Sequence, residues 1–146
     1  MESQIGWLLS RAAYGWRNAV DHYMAEIGLT QSRWMAMLHL DRLGEGCSQK
    51  ELADTMGIEQ PSILRTLNNL EEAGIVERRN CAQDARRKTL WFTVKGRELL
   101  EQVEDKAKAG RQHMLEGISL KERKELGVLL DKVISNSQHF LEAEKK

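Results

Sequence analysis

The sequence is poor in the residues that mark disulfide-rich or metal-binding proteins. Its 146 residues include two cysteines and one proline, and aromatic residues make up 5%. Cys47 and Cys81 lie far apart and have no second ligand pair nearby, so neither a disulfide framework nor a zinc site is indicated. The four histidines are scattered without paired ligand spacing. We therefore expect two free thiols, no metal and no cofactor.

Long apolar runs and a net charge are also missing. No stretch approaches the roughly 18 consecutive apolar residues of a membrane span, and the N-terminus has no signal pattern, so we expect a cytoplasmic protein without membrane contact. The 22 basic and 22 acidic residues cancel, which argues against a non-specific nucleic-acid coat protein but permits a local basic surface. An enzyme is not expected, because no nucleophile is paired with a base and no phosphate-binding glycine loop occurs.

The stretch from Gly57 to Gly74 predicts one helix with two different faces. Gly57 suits a positive-φ turn, Pro61 suits the first helical turn and Gly74 suits the helix end. Apolar residues recur at three- and four-residue steps on one face: Ile63, Leu64, Leu67 and Leu70. The opposite face carries side chains that can bond base edges and phosphates in a major groove: Gln60, Ser62, Arg65, Asn68 and Asn69. The pattern favours a DNA recognition helix.

A shorter helix precedes this one. Ser48 and Glu51 have capping-box spacing and open a helix that continues to Met56. Two short helices joined by a glycine-containing turn are typical of the helix-turn-helix unit, whose second helix enters the major groove. The alternative is a helix pair with a merely polar outer face.

A hairpin with basic residues is predicted directly after the recognition helix. Residues 75–79 and 88–92 have strand character and flank a turn-rich segment. Between residues 78 and 88, Asp84 is the one acidic residue. The basic residues of this segment are assigned to the hairpin tip: Arg78, Arg79, Arg86, Arg87 and Lys88. Such a hairpin is typical of the wing of a winged helix-turn-helix, which can lay an arginine into the minor groove. The alternative is an ordinary solvated hairpin.

Long amphipathic helices are predicted at both ends of the chain. An apolar stripe of about six turns runs from Ile5 to Ile27. Thr30 is expected to cap a second helix, which is apolar on several faces and therefore buried. A helix is expected after Thr93, and Ser119 with Glu122 makes a second capping box for the last one.

The terminal helices have more apolar surface than one chain can cover. A winged domain of about 60 residues cannot bury all three stripes, so we expect a two-fold homodimer. The expected fold is mainly α with a small β-hairpin wing. Its expected parts are a dimerisation helix (1–29), a winged helix-turn-helix DNA-binding domain (30–93) and further dimerisation helices (94–146).

Several short runs match one known family. They are Trp16-Arg17, Leu29-Thr30-Gln31, Gly57-Ile58-Glu59-Gln60-Pro61-Ser62, Leu64-Arg65-Thr66-Leu67, and Cys81-Ala82 leading to Asp84 and Arg86. Through them nearly the whole chain resembles the MarR family of bacterial regulators, most closely its SlyA group. The resemblance implies a homodimeric transcription factor whose terminal helices intertwine and whose two wings read a pseudo-palindromic operator, as repressor or activator.

The resemblance also implies DNA contacts residue by residue. Ser62 and Arg65 resemble recognition-helix contacts, and Pro61 would offer an apolar surface to a thymine methyl. Arg86 resembles the minor-groove arginine of the wing, held by Asp84 through a charge-assisted hydrogen bond. The full expected set is Gln60, Pro61, Ser62, Arg65, Asn68, Arg78, Asp84, Arg86, Arg87 and Lys88. Ala85 stands where SlyA proteins often have a further arginine, for which Arg87 is the candidate substitute.

An effector site is implied between the dimer helices and the winged domain, where SlyA-like proteins bind small aromatic carboxylates. The expected residues are Trp16, Arg17, Ser32 and Trp34, because an aromatic wall with one guanidinium suits a flat anion. Equally, both tryptophans could serve as plain core. Two further alternatives are a redox sensor that oxidises Cys47 or Cys81, and a winged helix that binds protein rather than DNA.

Overall fold

Six α-helices and one β-hairpin form the part of the chain that the computed structural model describes, residues 1–145. Lys146, the last residue of the expected C-terminal part, lies outside it. The elements in order are α1 (Glu2–Met24), a 3₁₀ turn (Ala25–Ile27), α2 (Gln31–Leu43), α3 (Gln49–Met56), α4 (Gln60–Glu72), β1 (Val76–Asn80), β2 (Lys88–Phe92), α5 (Val94–Met114) and α6 (Leu120–Glu144). The predicted fold class, mainly helical with a two-stranded hairpin and long terminal helices, is confirmed.

The chain divides into two compact units. The first, Met1–Arg111, contains α1 to α4, the hairpin and most of α5. The second begins at Gln112 and contains the end of α5 and the whole of α6. None of the helices within residues 1–145 is both long and apolar enough to cross a membrane.

One hydrophobic core holds the first unit together. Helix α2 contributes residues from several faces, as its sequence predicted: Trp34, Ala36, Met37 and Leu40. Helix α4 buries Ile63, Leu67 and Leu70. Leu64 was assigned to the same apolar face, but this assignment is wrong, because its side chain remains 37% exposed. At 100° per residue it lies at the edge of the buried stripe.

The hairpin pairs antiparallel and joins α4 to α5 through a tight junction. Its register runs from Val76 opposite Phe92 to Asn80 opposite Lys88. Thr93 Oγ1 donates to the Gly74 carbonyl at 2.5 Å and accepts from the Gly96 amide at 2.9 Å. A Cβ at residue 96 would lie 2.0 Å from the Ile75 carbonyl oxygen, so only glycine fits there. This junction fixes the hairpin against the start of α5.

The predicted helix caps are only partly formed. Ser119 and Glu122 make the complete reciprocal capping box. The Ser48 hydroxyl accepts from the Glu51 amide at 3.0 Å, but the Glu51 carboxylate accepts from the Ser48 hydroxyl instead of the Ser48 amide. Thr30 holds the N-cap position of α2, yet its side chain makes no capping hydrogen bond. The prediction that Thr30 caps α2 is therefore correct in position and wrong in chemistry.

Helix α6 presents an unburied apolar stripe. Not one of its described residues is buried within the chain. Its large exposed apolar side chains are Leu120, Leu126, Val128, Leu129, Val133, Ile134, Phe140 and Leu141. The first half of α1 also exposes Ile5, Trp7 and Leu8.

Candidate nucleic-acid interface and cavity

Helix α4 is set on the surface by a short turn after α3. Gly57 takes a left-handed conformation with φ of 69°, and the Ile58 amide closes the turn on the Ala53 carbonyl at 3.1 Å. Pro61 stands in the first turn of α4, where an amide proton has no helical partner. The polar residues assigned to the outer face are all exposed: Gln60, Ser62, Arg65, Asn68 and Asn69. A recognition helix has this arrangement, with one face in the core and the other in solvent.

The loop between the strands turns sharply at Asp84. The Arg87 amide donates to the Asp84 carbonyl at 3.0 Å, and Asp84 Oδ1 accepts from the Arg86 amide at 2.9 Å. The same oxygen lies 3.5 Å from Arg86 Nε. Asp84 and Arg86 therefore meet as the sequence predicted, but in a turn that the carboxylate itself stabilises. The Arg86 side chain is 93% exposed and free to reach a ligand.

The other basic residues do not all lie at the hairpin tip, so that part of the prediction is wrong. Arg78 and Arg79 belong to β1 and Lys88 begins β2. Arg79 stacks over the Trp91 ring at 4.4 Å, and Lys88 donates to Asn80. Arg87 reaches from the loop to Glu51 of α3 at 2.5 Å. Strand pairing spreads these charges along the hairpin, and the Arg87–Glu51 ion pair connects the loop to the helix-turn-helix.

The Arg78 side chain forms hydrogen bonds with three residues of this surface. Its Nη2 donates to Asn68 Oδ1 at 2.6 Å and to Glu71 Oε1 at 2.9 Å, and its Nη1 donates to Gln49 Oε1 at 3.3 Å. The hydrogen bond from Arg78 holds the pKa of the Glu71 carboxyl below its ordinary value, against the opposing effect of burial. Arg78 thus joins β1 to α3 and α4. No local sequence pattern predicts these contacts of Arg78, which lie 29 residues from Gln49 and seven residues from Glu71 along the chain.

A cavity of about 700 Å³ lies in the first unit among α1, α2 and α5. Trp16 and Trp34 both line it, together with Val20, Leu38, Asp41, Arg42, Glu104, Asp105, Ala107, Lys108 and Arg111. Trp34 is 5% exposed, and its indole Nε1 donates to Asp21 Oδ1 at 2.9 Å. Arg17 and Ser32, which were predicted for the same site, are not among the lining residues. The two tryptophans are brought together, while the cations of the lining come from α2 and α5.

The cavity wall mixes charges of both signs. Burial raises the pKa of the Glu104 carboxyl, and a hydrogen bond and charge repulsion from Asp41 add to the increase. Arg42, Lys108 and Arg111 supply positive charge on the same lining. Such a lining can pair with an anion and can also accept hydrogen bonds from a ligand.

The two cysteines have different surroundings. Cys47 is buried. Burial raises the pKa of its thiol, and the negative charge of Glu51 adds a smaller increase. Cys81 is half-buried at the root of the loop, with Sγ 3.6 Å from Gln83 Oε1. Within residues 1–145, no cluster of three or more histidine, cysteine or acidic side chains could hold a metal ion.

A helix-turn-helix followed at once by an antiparallel hairpin defines a winged helix-turn-helix protein. A model of the MarR family matches residues 27–87. The transcriptional regulator PA3341 is 34% identical, with a TM-score of 0.84 over 92% of this chain and 98% of that one. The chain belongs to the MarR family, as its sequence predicted.

Two further solved structures support the same fold. A MarR-family transcriptional regulator from Rhodococcus sp. RHA1 is 26% identical, with a TM-score of 0.82 over 91% of this chain and 94% of that one. The transcriptional repressor CouR, solved with a 23-mer DNA duplex, is 27% identical, with a TM-score of 0.78 over 91% and 94% of the two chains. The match therefore extends well beyond the winged domain.

Proposed function

We propose that the protein is a sequence-specific DNA-binding transcriptional regulator of the SlyA group. The observation that carries this proposal is the division of α4, whose inner residues Ile63, Leu67 and Leu70 are buried while its outer face is polar and exposed. Arg65 and Ser62 on that face can bond base edges and phosphates. The DNA duplex bound to CouR supports assigning the same kind of ligand to this chain.

The wing extends the proposed interface into the minor groove. Arg86 has the more exposed side chain of the two loop arginines, and Asp84 Oδ1, at 3.5 Å from Arg86 Nε, restricts the directions that this side chain can take. A partly fixed arginine loses less rotamer freedom on binding. Arg87 is paired with Glu51, so it would need to exchange that partner for a phosphate before it could replace the arginine absent at Ala85.

The regulator is proposed to act as a homodimer on a pseudo-palindromic operator. The apolar stripe of α6 and the exposed apolar residues of α1 support this, because a large unburied apolar surface marks an interaction site. A two-fold dimer would present two α4 helices to two half-sites about one helical turn apart.

A small aromatic acid is proposed as the effector. Trp16 and Trp34 supply aromatic surface to the cavity lining, and Arg42, Lys108 and Arg111 provide the positive charge that a carboxylate needs. Arg17 was the predicted carboxylate partner, and the lining makes these three cations better candidates. A salicylate-like ligand should quench tryptophan fluorescence and lower operator affinity together, since coupling between two sites is reciprocal.

A thiol-based mechanism remains the alternative form of regulation. The raised pKa of Cys47 disfavours the reactive thiolate, which leaves Cys81 as the candidate. The Cys81 amide donates a hydrogen bond to the Arg87 carbonyl at 3.0 Å, so oxidation of the Cys81 thiol would change the conformation of the loop. Peroxide treatment followed by thiol titration and operator binding separates this mechanism from effector binding.

Selection of bound fragments from random DNA tests the main proposal. The purified protein should enrich a two-fold related site, and its affinity for that site should fall steeply with salt because phosphate contacts release counterions. Enrichment of no sequence, or a shallow salt dependence, would instead favour a winged helix that binds another protein.

A further inference from the structure

We infer that Asn68 reads a hydrogen-bond acceptor on one base of each half-site, and that Arg78 is the positioning residue that sets this preference. The inference rests on the proposed function, because it specifies how the outer face of α4 chooses a base. It goes beyond the expectation that Asn68 and Arg78 are two independent DNA contacts.

The orientation of the Asn68 amide follows from its partner. A guanidinium has hydrogen-bond donors and no acceptor, so the amide atom that faces Arg78 must be the oxygen. The distance from Arg78 Nη2 to Asn68 Oδ1 is 2.6 Å. The Asn68 amino group then lies on the opposite edge of the amide. Among the described residues it has no hydrogen-bond acceptor of its own.

Arg78 is held too firmly to release this oxygen easily. Glu71 accepts from Nε at 3.4 Å, from Nη2 at 2.9 Å and from the Arg78 amide at 3.3 Å. Gln49 of α3 accepts from Nη1 at 3.3 Å, and the Arg78 side chain is only 20% exposed. A guanidinium fixed by two further partners loses little additional freedom when it also holds Asn68. The amide of Asn68 is therefore oriented before any DNA arrives.

This orientation changes which bases Asn68 can favour. A free asparagine pairs with adenine by accepting from N6 and donating to N7. Here the oxygen already accepts from a cation, and an adenine or cytosine amino group that approached it would meet the positive charge of Arg78. Guanine O6 and N7 and thymine O4 are acceptors without an amino group of the same base beside them, unlike adenine N7, which adjoins N6. The Asn68 amino group can donate to them and the nearby charge attracts them. We expect guanine or thymine at this position.

Base preference at single operator positions tests the inference. The full-length protein and its variants are titrated against the selected operator with each of the four bases at every position of a half-site. Wild type should prefer guanine or thymine at one position by about fivefold or more, and Asn68→Ala should remove that preference there alone. Asn68→Asp keeps the contact to Arg78 but presents an acceptor oxygen, so the preference should move to cytosine or adenine.

Arg78→Leu tests the positioning role, with Arg79→Leu as its matched control. Arg78→Leu should let the amide rotate, so that adenine becomes as well tolerated as guanine or thymine at the same position. Arg79→Leu removes the same charge from the same strand, and the Arg79 side chain contacts Glu77 and Trp91 instead of Asn68. It should therefore lower the affinity for operators with each of the four bases equally. A purely structural role for Arg78 would lower the melting temperature and overall affinity without changing the base preference.

Three results would overturn the inference while leaving the proposed function intact. They are a wild-type preference for adenine at the Asn68-dependent position, an equal loss for all bases in Asn68→Ala, or an unchanged preference in a folded Arg78→Leu. If Arg78→Leu does not fold, the wild-type choice between adenine and guanine or thymine at the Asn68-dependent position still decides, because a freely rotating asparagine would favour adenine. Selection of no DNA sequence by wild type would overturn the proposed function and this inference together.

Discussion

Helices α4 and α6 carry similar apolar patterns but bury them differently. Both repeat apolar residues at three- and four-residue steps. In α4, Ile63, Leu67 and Leu70 are at most 1% exposed, whereas no described residue of α6 is buried and Phe140 is 64% exposed. The periodicity of a helix thus identifies its apolar face, but it does not identify what covers that face. In α4 the cover is the rest of the first unit, and for α6 we propose a second copy of the chain.

The largest effect should come from a charge on the α6 stripe. Val133→Glu would place an unpaired carboxylate in the proposed dimer interface, and an obligate dimer often has no stable monomer. We expect loss of the folded protein at micromolar concentration, measured by circular dichroism and sedimentation. Ser135→Glu adds the same charge at a polar position of α6 and should remain folded. A folded Val133→Glu monomer would show that α6 needs no partner.

A smaller but still large effect is expected from α4. Leu67→Ala removes a fully buried side chain and should lower the free energy of unfolding by about 2–5 kcal/mol in denaturant titrations. Leu64→Ala changes a leucine about one helical turn before Leu67, where the residue is 37% exposed. It should lower the free energy of unfolding by about 1 kcal/mol or less. Equal losses would mean that α4 is not divided into an inner and an outer face.

A moderate effect is expected on the outer face of α4. Arg65→Ala should weaken operator binding by about 1–3 kcal/mol and relax the choice of base at one position per half-site, if Arg65 contacts a base edge through two hydrogen bonds. Unfolding free energy should hardly change, because the side chain is exposed. A loss that is the same for every sequence would reassign Arg65 to a phosphate.

The smallest effect is expected at the cavity, where the carboxyl groups of Asp41 and Glu104 repel each other. A carboxyl with a raised pKa binds its proton more tightly in the folded state, so Glu104 favours folding at pH below about 4.5 and this advantage is lost as pH rises through the folded pKa. Asp41→Asn removes one cause of that shift. It should stabilise the protein near pH 7 by about 0.5 kcal/mol or less, since the site is largely exposed to solvent screening.

The pH dependence of thermal melting measures this effect. Asp41→Asn should show a weaker loss of stability than wild type as pH rises from about 4, near the ordinary carboxyl pKa, to about 7. Glu98→Gln removes a carboxyl from α5 that does not affect the pKa of Glu104, and its melting should follow wild type. Identical slopes for Asp41→Asn and wild type would show that the two carboxyls do not interact.

The sequence predicted most of the elements because their signals are local. Gly57, Pro61 and Gly74 mark the limits of α4, and Ser119 with Glu122 marks the start of α6 through bonds that span three residues. The hairpin followed in the same way from strand character around a turn. Local signals were sufficient here because each element's boundary depends on neighbouring residues.

The site was less predictable because its contacts are long-range. Arg87 bonds Glu51 across 36 residues and Arg78 bonds Gln49 across 29, and neither pairing has a sequence pattern. The cavity is similar: its two tryptophans were expected, but its cations come from the parts of α2 and α5 that the fold brings beside them. Composition showed which charges exist, while only the packing showed which of them are already paired.

Operator spacing tests the central proposal most directly. Two α4 helices held by one dimer should require half-sites about one helical turn apart, roughly 34–36 Å. Titration of the selected operator should therefore show loss of specific binding when half a helical turn is inserted between the half-sites, and recovery when a full turn brings them back to the same face. Unchanged affinity after the half-turn insertion would contradict the proposal that two rigidly linked winged domains read the site together.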